Sequence, residues 1–301
     1  MTSANKGFAA AVTAFVIWGV FPLYLHPLHA VSPFQVIANR IIWSCVFVLL
    51  WTALRGELPM LRAALAIRSV VWRLAVTAVL ITINWMVYVW AVANGHVVES
   101  SLGYFINPLV NVLLGVALLS ERLTRTQWTA VGLAAAGVTY LTVATGGPPW
   151  VALALAFSFG TYGLIRKVMK VDSLPGLAIE TLLLFPFASG YLLWCESAGA
   201  GALGHTGPAI AALLLGSGPV TAIALFLFAY GARRLPYSTV GVLQYIAPTL
   251  QLACGVFVFH EHFGRVRAVG FALIWAALLI YAAEGLWLSR RQQRTFARAA
   301  P

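Results

Sequence analysis

Of the 301 residues, 61% are hydrophobic and 9% are charged, and the mean hydropathy is +0.89, a balance that excludes a soluble globular domain. The formal net charge of +11 suggests nucleic acid as a partner. The cations are instead scattered in short segments between apolar runs, and no basic face is left to follow a phosphate backbone.

Ten apolar runs follow one another, at about 8–25, 34–54, 71–93, 99–119 and 127–144, then 149–165, 176–195, 209–232, 238–259 and 268–288, each close to the roughly 20 residues needed to cross hydrocarbon. The first lies where a signal peptide would. It is long, Trp18 and Pro22 interrupt it, and no small-residue cleavage site follows, so it reads as a membrane helix. The second holds Arg40 near its middle. Its apolar neighbours outweigh an insertion cost of about 2.5–3.5 kcal/mol, but the guanidinium still needs a partner or water.

In the third run Asn84, Tyr88 and Ala91 share one helical face, and in the fourth Ser100, Tyr104, Asn107 and Asn111 form a polar stripe. Pro108 cannot donate to Tyr104, whose carbonyl is freed inside the span. Gly132 and Ala136 of the fifth run offer only a generic small-residue contact, which leaves a homo-oligomer open. Ser158 and Tyr162 mark the sixth, and Glu180 lies within the seventh. The ninth repeats the polar stripe with Gly241, Gln244, Pro248 and Gln251, and Pro248 frees the Gln244 carbonyl. From about Arg290 the tail is polar and basic, and is expected to be loose.

A shift of 140 positions, with no gap, lays the second five runs on the first. Pro108 falls on Pro248, Asn111 on Gln251, Gly115 on Gly255, Glu121 on Glu261, Trp90 on Tyr230 and the charged Arg40 on the charged Glu180. A repeat with an odd number of crossings must enter the bilayer the opposite way up from its partner. Inverted repeats of this kind place a substrate site near the midplane, beside interrupted helices. With the first residues on the cytoplasmic side, every Lys and Arg except Arg40, Arg265 and Arg267 falls on that side, the positive-inside pattern. All six histidines, His26, His29, His96, His205, His260 and His262, fall on the outer side, where solvated loop positions account for them.

On this topology Arg40 and Glu99 gather toward the outer mouth, and Glu180 lies toward the cytoplasm with Arg166, Lys167, Arg233 and Arg234 as candidate partners. Two readings fit these charges: gates near the two mouths, or static bridges that lock helices together. Trp18, Tyr88, Tyr104, Tyr162 and Tyr245 sit deep and beside polar residues, suited to a cargo with a flat apolar part. Cys45, Cys195 and Cys254 show no pairing or metal-ligand spacing. No phosphate-binding loop, zinc motif or nucleophile elbow is present, so neither direct use of ATP nor catalysis is expected, and no cofactor.

The run from Glu99 through Ser100, Ser101, Leu102, Gly103, Tyr104, Phe105, Ile106, Asn107 and Pro108 to Leu109 strongly resembles the start of the fourth span of RarD-type proteins, in the EamA branch of the drug/metabolite transporter superfamily. The resemblance continues at Ile17-Trp18-Gly19, Asn39-Arg40, Asn84-Trp85, Glu121-Arg122, Phe157-Ser158, Tyr162-Gly163-Leu164, Arg166-Lys167 and from Gln244 through Tyr245, Ile246, Ala247, Pro248 and Thr249 to Leu250. It departs at Asn39, where the family often has His, so no proton role is carried to that position. The resemblance implies a ten-helix transporter of the bacterial inner membrane. RarD-type members are named for chloramphenicol sensitivity, and other EamA-branch members look like amino-acid exporters.

The expected molecule is therefore an all-α integral membrane protein of ten transmembrane helices in two inverted five-helix repeats, 1–145 and 146–289, with a basic cytoplasmic tail at 290–301. Both termini are expected in the cytoplasm, with the lipid bilayer and a small-molecule substrate as partners. Export of amino acids, aromatic ones among them, or of similar amphipathic metabolites by alternating access is the leading expectation. Efflux of chloramphenicol-type drugs is the alternative cargo. A membrane enzyme acting on a lipid-like substrate and a passive channel are the rival classes. The expected substrate-lining residues are Trp18, Asn84, Tyr88, Tyr104, Asn107, Pro108, Tyr162, Gln244, Tyr245 and Pro248, with Arg40, Glu99, Glu180 and Arg166 as the charged set.

Overall fold

No water reaches a peptide group inside hydrocarbon, so a chain this apolar must satisfy its backbone within helices. The computed structural model describes residues 3–119, 123–169, 171, 173–232, 234–235 and 243–299, and every regular element among them is helical. In chain order these are α1 (Ser3–Leu25), α2 (Pro33–Leu54), α3 (Leu58–Leu65), α4 (Arg68–Ala93), α5 (Val97–Leu119) and α6 (Arg125–Thr145). They continue with α7 (Trp150–Val168), α8 (Ser173–Ser197), α9 (Ala202–His205), α10 (Pro208–Ala232), α11 (Ile246–Ala253) and α12 (Arg265–Ala299). Eight of the described helices, α1, α2, α4, α5, α6, α8, α10 and α12, are long and apolar enough to cross a bilayer. Trp150–Arg166 and Ile246–Val258 are shorter apolar helices.

Apart from 238–242, which lie outside the described residues, the expected spans coincide with helices, most ends within a few residues, and the larger differences have local causes. Thr124 opens α6 with a capping box shared with Gln127, so the helix starts ahead of its apolar run. The ninth run is interrupted: Gln244 and Tyr245 form a turn, α11 begins at Ile246, and Pro248 sits in its first turn, where a missing N–H costs nothing. Five residues from Cys254 to Val258 then widen into a π-turn. Into the tail α12 runs on to Ala299 through Arg, Gln and Ala, all good helix formers. Gly241, Glu121, Arg122, Lys170 and Arg233, all named above, lie outside the described residues.

Helix α5 packs on α7, α6 on α12, α1 on α10 and α11, α2 on α8 and α10, and α4 on α7 and α8. Two of these contacts rest on glycine. A Cβ at Gly103 would stand 2.7 Å from the Ala152 carbonyl oxygen, and one at Gly218 would overlap the backbone of Trp43 and Ser44. These are backbone-to-backbone approaches of the kind small residues permit in membranes.

Two carboxylates accept from the opening amides of helices. Glu99 accepts from the Val151 amide at 3.0 Å, at the start of α7. Glu261, in the segment before α12, accepts from the amides of Val97 (2.6 Å) and Val98 (2.9 Å), the opening residues of α5. Burial raises the Glu261 pKa from its ordinary value, and the two amides draw it part of the way back. Glu261→Ala leaves both amides without their acceptor. The expected result is a loss of about 1–3 kcal/mol, read as a lower thermal unfolding midpoint of purified protein.

Candidate functional site

Helix α4 is the spine of a buried polar and aromatic seam. Thr77, Asn84, Trp85 and Tyr88 recur along one side of it, and all are buried. Asn84, 1% exposed, donates from Nδ2 to the Leu155 carbonyl and to Ser158 Oγ, both at 3.0 Å on α7. Its Oδ1 accepts from the Tyr104 hydroxyl of α5 at 3.4 Å. One amide thus ties three helices, and because the acceptors are a carbonyl and a hydroxyl, both ends of the side chain are used.

Beside Trp85 lies Arg40 of α2. Its guanidinium stands 4.2 Å from the centre of the Trp85 ring and 5.0 Å from that of Phe21, and its Nε donates to Thr221 Oγ1 of α10 at 2.9 Å. Phe21 stacks on Tyr24 and Tyr88, and Tyr88 meets Tyr104 edge-on with ring centres 5.8 Å apart. The ring contacts continue from Tyr104 to Phe159 and from Phe159 to Tyr162 on α7.

Tyr162 leads to a second charged group. Glu180 of α8, 1% exposed, accepts from Thr77 Oγ1 at 2.6 Å and from the Tyr162 hydroxyl at 3.4 Å, and stands 3.9 Å from Arg166 Nε. Gly176 makes room for the Arg166 guanidinium, which lies where a Cβ would be. Thr77 and Trp85 are eight positions apart on α4, so the two poles are separated by about 12 Å along the helix.

Arg166 and Glu180, grouped by sequence, therefore meet. Arg40 and Glu99, also grouped, have different partners: Glu99 is occupied by the Val151 amide and by His96 Nδ1 at 3.5 Å. Asn84, Tyr88, Tyr104 and Tyr162 come together in the seam. Trp18 stands apart on α1, packed against Phe15 and Phe228, while its carbonyl accepts from Gln251 Nε2 at 3.1 Å. Asn107 and Pro108 are buried on α5, and the Asn107 Oδ1 has no hydrogen-bond partner among the described residues. Pro248 is buried as well; Gln244 and Tyr245 are half-buried, and the Tyr245 ring stacks on Phe105 away from the seam.

Sequence reasoning left Phe21, Tyr24, Thr77 and Thr221 out of the site. Thr77 continues the face of Asn84 and Tyr88 by two further turns and was within reach of the same periodicity. Thr221 comes from a distant helix and carried no local signal. In this conformation the seam is packed shut. A cavity of about 200 Å³ lies elsewhere, between Ser32, Gln35, Ala200, His205 and their neighbours. There the Gln35 amide holds the backbone of Ala200 and Ala202.

Apolar helices closed around a buried charged and aromatic seam define a multi-pass membrane protein whose chemistry lies inside the bundle. The EamA-like transporter family model matches residues 5–143 and again 149–283, and the chain belongs to that family, among its RarD-type members. It is 45% identical to an uncharacterized transporter of Pseudomonas aeruginosa, over 97% of this chain and 98% of that one. It is 43% identical to the protein RarD of Streptomyces exfoliatus (99% and 94% covered) and 39% identical to RarD of Escherichia coli (96% and 98%). A solved crystal structure at 21% identity shares the fold with a TM-score of 0.58, over 93% of this chain and 95% of that one.

Proposed function

We propose that the protein is a secondary-active or facilitative transporter of the bacterial inner membrane that exports amino acids, aromatic ones among them, or similar small amphipathic metabolites. The observation that carries this reading is the seam, which collects costly buried polar groups on α2, α4, α5, α7, α8 and α10, drawn from both matches of the family model. Asn84, Tyr88, Tyr104 and Tyr162 form its wall. Trp18, Asn107, Pro108, Gln244, Tyr245 and Pro248 line the path once the helices part, with Arg40, Glu99, Glu180 and Arg166 as the charged set.

Ten crossings in two inverted repeats, 1–145 and 146–289, fit the packing. Under the 140-residue shift, the contact of α1 with α10 exchanges with that of α7 with α4, and α5 on α7 exchanges with α11 on α1. The contacts α2 on α8 and α6 on α12 exchange with themselves. Such a bundle rocks about its own pseudo-axis, as alternating access requires. The cation distribution supports cytoplasmic termini and a basic cytoplasmic tail. The family model and the uncharacterized transporter of Pseudomonas aeruginosa carry transporter names, which favours transport over catalysis. One relative, from Pseudomonas aeruginosa, is named a chloramphenicol-sensitive protein, so that drug belongs in the test as a separate cargo.

Purified protein in liposomes is expected to move labelled phenylalanine or tryptophan saturably, with acceleration by counter-substrate on the opposite side. Asn84→Ala, which unties three helices, is expected to lower that flux by roughly 10-fold or more, the equivalent of about 1.4 kcal/mol. Flux of chloramphenicol alone changes the cargo to a drug. Flux that neither saturates nor responds to counter-substrate is that of a channel and ends the alternating-access reading.

A further inference from the structure

Arg40 and Glu180 occupy equivalent positions in the two matches, yet only one of them is complete. Glu180 has hydroxyl donors in Thr77 and Tyr162 and a cation in Arg166. Arg40, 5% exposed, has no carboxylate within 4.0 Å among the described residues, and its one hydrogen bond there is from Nε to Thr221. No hydrogen bond from its two terminal nitrogens is present among the described residues, and the Trp85 and Phe21 rings lie beside the group.

The surroundings are rich in donors too. Tyr24 and Tyr104 are already engaged with the Leu213 carbonyl and with Asn84. The Tyr88 hydroxyl is buried and has no hydrogen-bond partner among the described residues, and the Phe21 ring that faces Arg40 also stacks on the Tyr88 ring. A guanidinium with a single acceptor, at Nε, and a buried hydroxyl with none are costly alone, and they complement a ligand that only accepts. One positive charge calls for one negative charge. The Phe21, Trp85 and Tyr104 rings around it supply flat apolar surface.

We infer that Arg40 and the Tyr88 hydroxyl form an anion subsite that takes the carboxylate of a small aromatic cargo, a step that rests on the transport reading above and names its substrate class. The ammonium of an amino acid is not part of this recognition. Glu180 stands about 12 Å away along α4, several times the separation of the two charges in an α-amino acid. Aryl-alkyl carboxylates without an amine therefore bind as well as aromatic amino acids, and the matching amines do not.

The test is thermal unfolding of the purified full-length chain with 3-phenylpropionate, phenylalanine, phenethylamine and 3-phenylpropanol, since a ligand of the folded state raises the midpoint. The two carboxylates are expected to raise it, the amine and the alcohol not. Arg40→Gln is expected to abolish the rise, and Tyr88→Phe to weaken the acid by about 10-fold. Without ligand, Arg40→Gln is expected to unfold no lower than the wild type, because it removes a buried cation that lacks a counter-charge. If Arg40→Gln fails to fold, Tyr88→Phe and Arg40→Lys carry the comparison. A rise with phenethylamine equal to that with the acid, an acid response that survives Arg40→Gln or is unchanged by Tyr88→Phe, or no response to any probe overturns the inference. Liposome flux separates the two levels. Saturable phenylalanine flux without carboxylate selectivity removes the subsite alone, and carboxylate-selective binding without flux removes the export reading and keeps the subsite.

Discussion

Glu180→Ala is expected to destabilise the protein by about 3–5 kcal/mol, the range for removing one member of a buried charge pair. The carboxylate is 1% exposed, and the variant leaves the hydroxyls of Thr77 and Tyr162 and the Arg166 guanidinium around an empty site. Glu180→Gln keeps an acceptor for Thr77 and loses the charge, so it is expected to fall between the two. The measurement is the folded fraction recovered after graded heating, with flux of the surviving protein beside it. A bridge that only holds helices together lowers stability and leaves the flux per folded molecule unchanged. A gate changes that flux in Glu180→Gln even where stability is nearly kept.

Gly218→Leu is expected to separate α10 from α2, at a cost of about 1–3 kcal/mol or more for overpacking. A Cβ there would overlap the backbone of Trp43 and Ser44, which cannot turn aside as a flexible side chain does. Thr221 is one turn further along α10, so the same displacement draws its hydroxyl from Arg40. Gly190→Leu is the control, because a Cβ at that glycine of α8 meets nothing within 4 Å. The comparison to make is the unfolding midpoint of the two variants. Equal midpoints would mean that the contact of α2 with α10 is soft enough to absorb a side chain, and would remove the rigid approach from the account.

The helices were legible because hydrocarbon imposes one solution on an apolar run, whatever its detailed order. Helix α3 was missed for the converse reason: eight residues between two long spans make too little periodicity to stand out. The turn at Gln244 and Tyr245 was foreshadowed by Pro248, but the sequence could not show that the ladder would open there while α5 continued across Pro108. In the seam, Asn84, Tyr88 and Tyr104 announced themselves by helical spacing on neighbouring runs. What Arg40 would meet was not legible, because Thr221 is 181 positions away and Phe21 and Trp85 look like ordinary apolar residues until a cation lies on them. Glu99 misled for a similar reason. Its acceptor capacity goes to a backbone amide, a partner that leaves no mark in the sequence.

The unbroken succession of rings from Phe21 through Tyr88, Tyr104 and Phe159 to Tyr162 behaves as a zip with weak teeth. Each tooth is worth about 0.5–1.5 kcal/mol beyond its buried area. Parting the helices on either side unfastens one or two teeth rather than the row, so the shut form holds without being locked. On the proposed transport reading, a flat guest that slips in where a tooth has opened replaces the contact just lost. On that reading the occupied bundle then has a lower barrier to turn over than the empty one, the order that acceleration by counter-substrate requires.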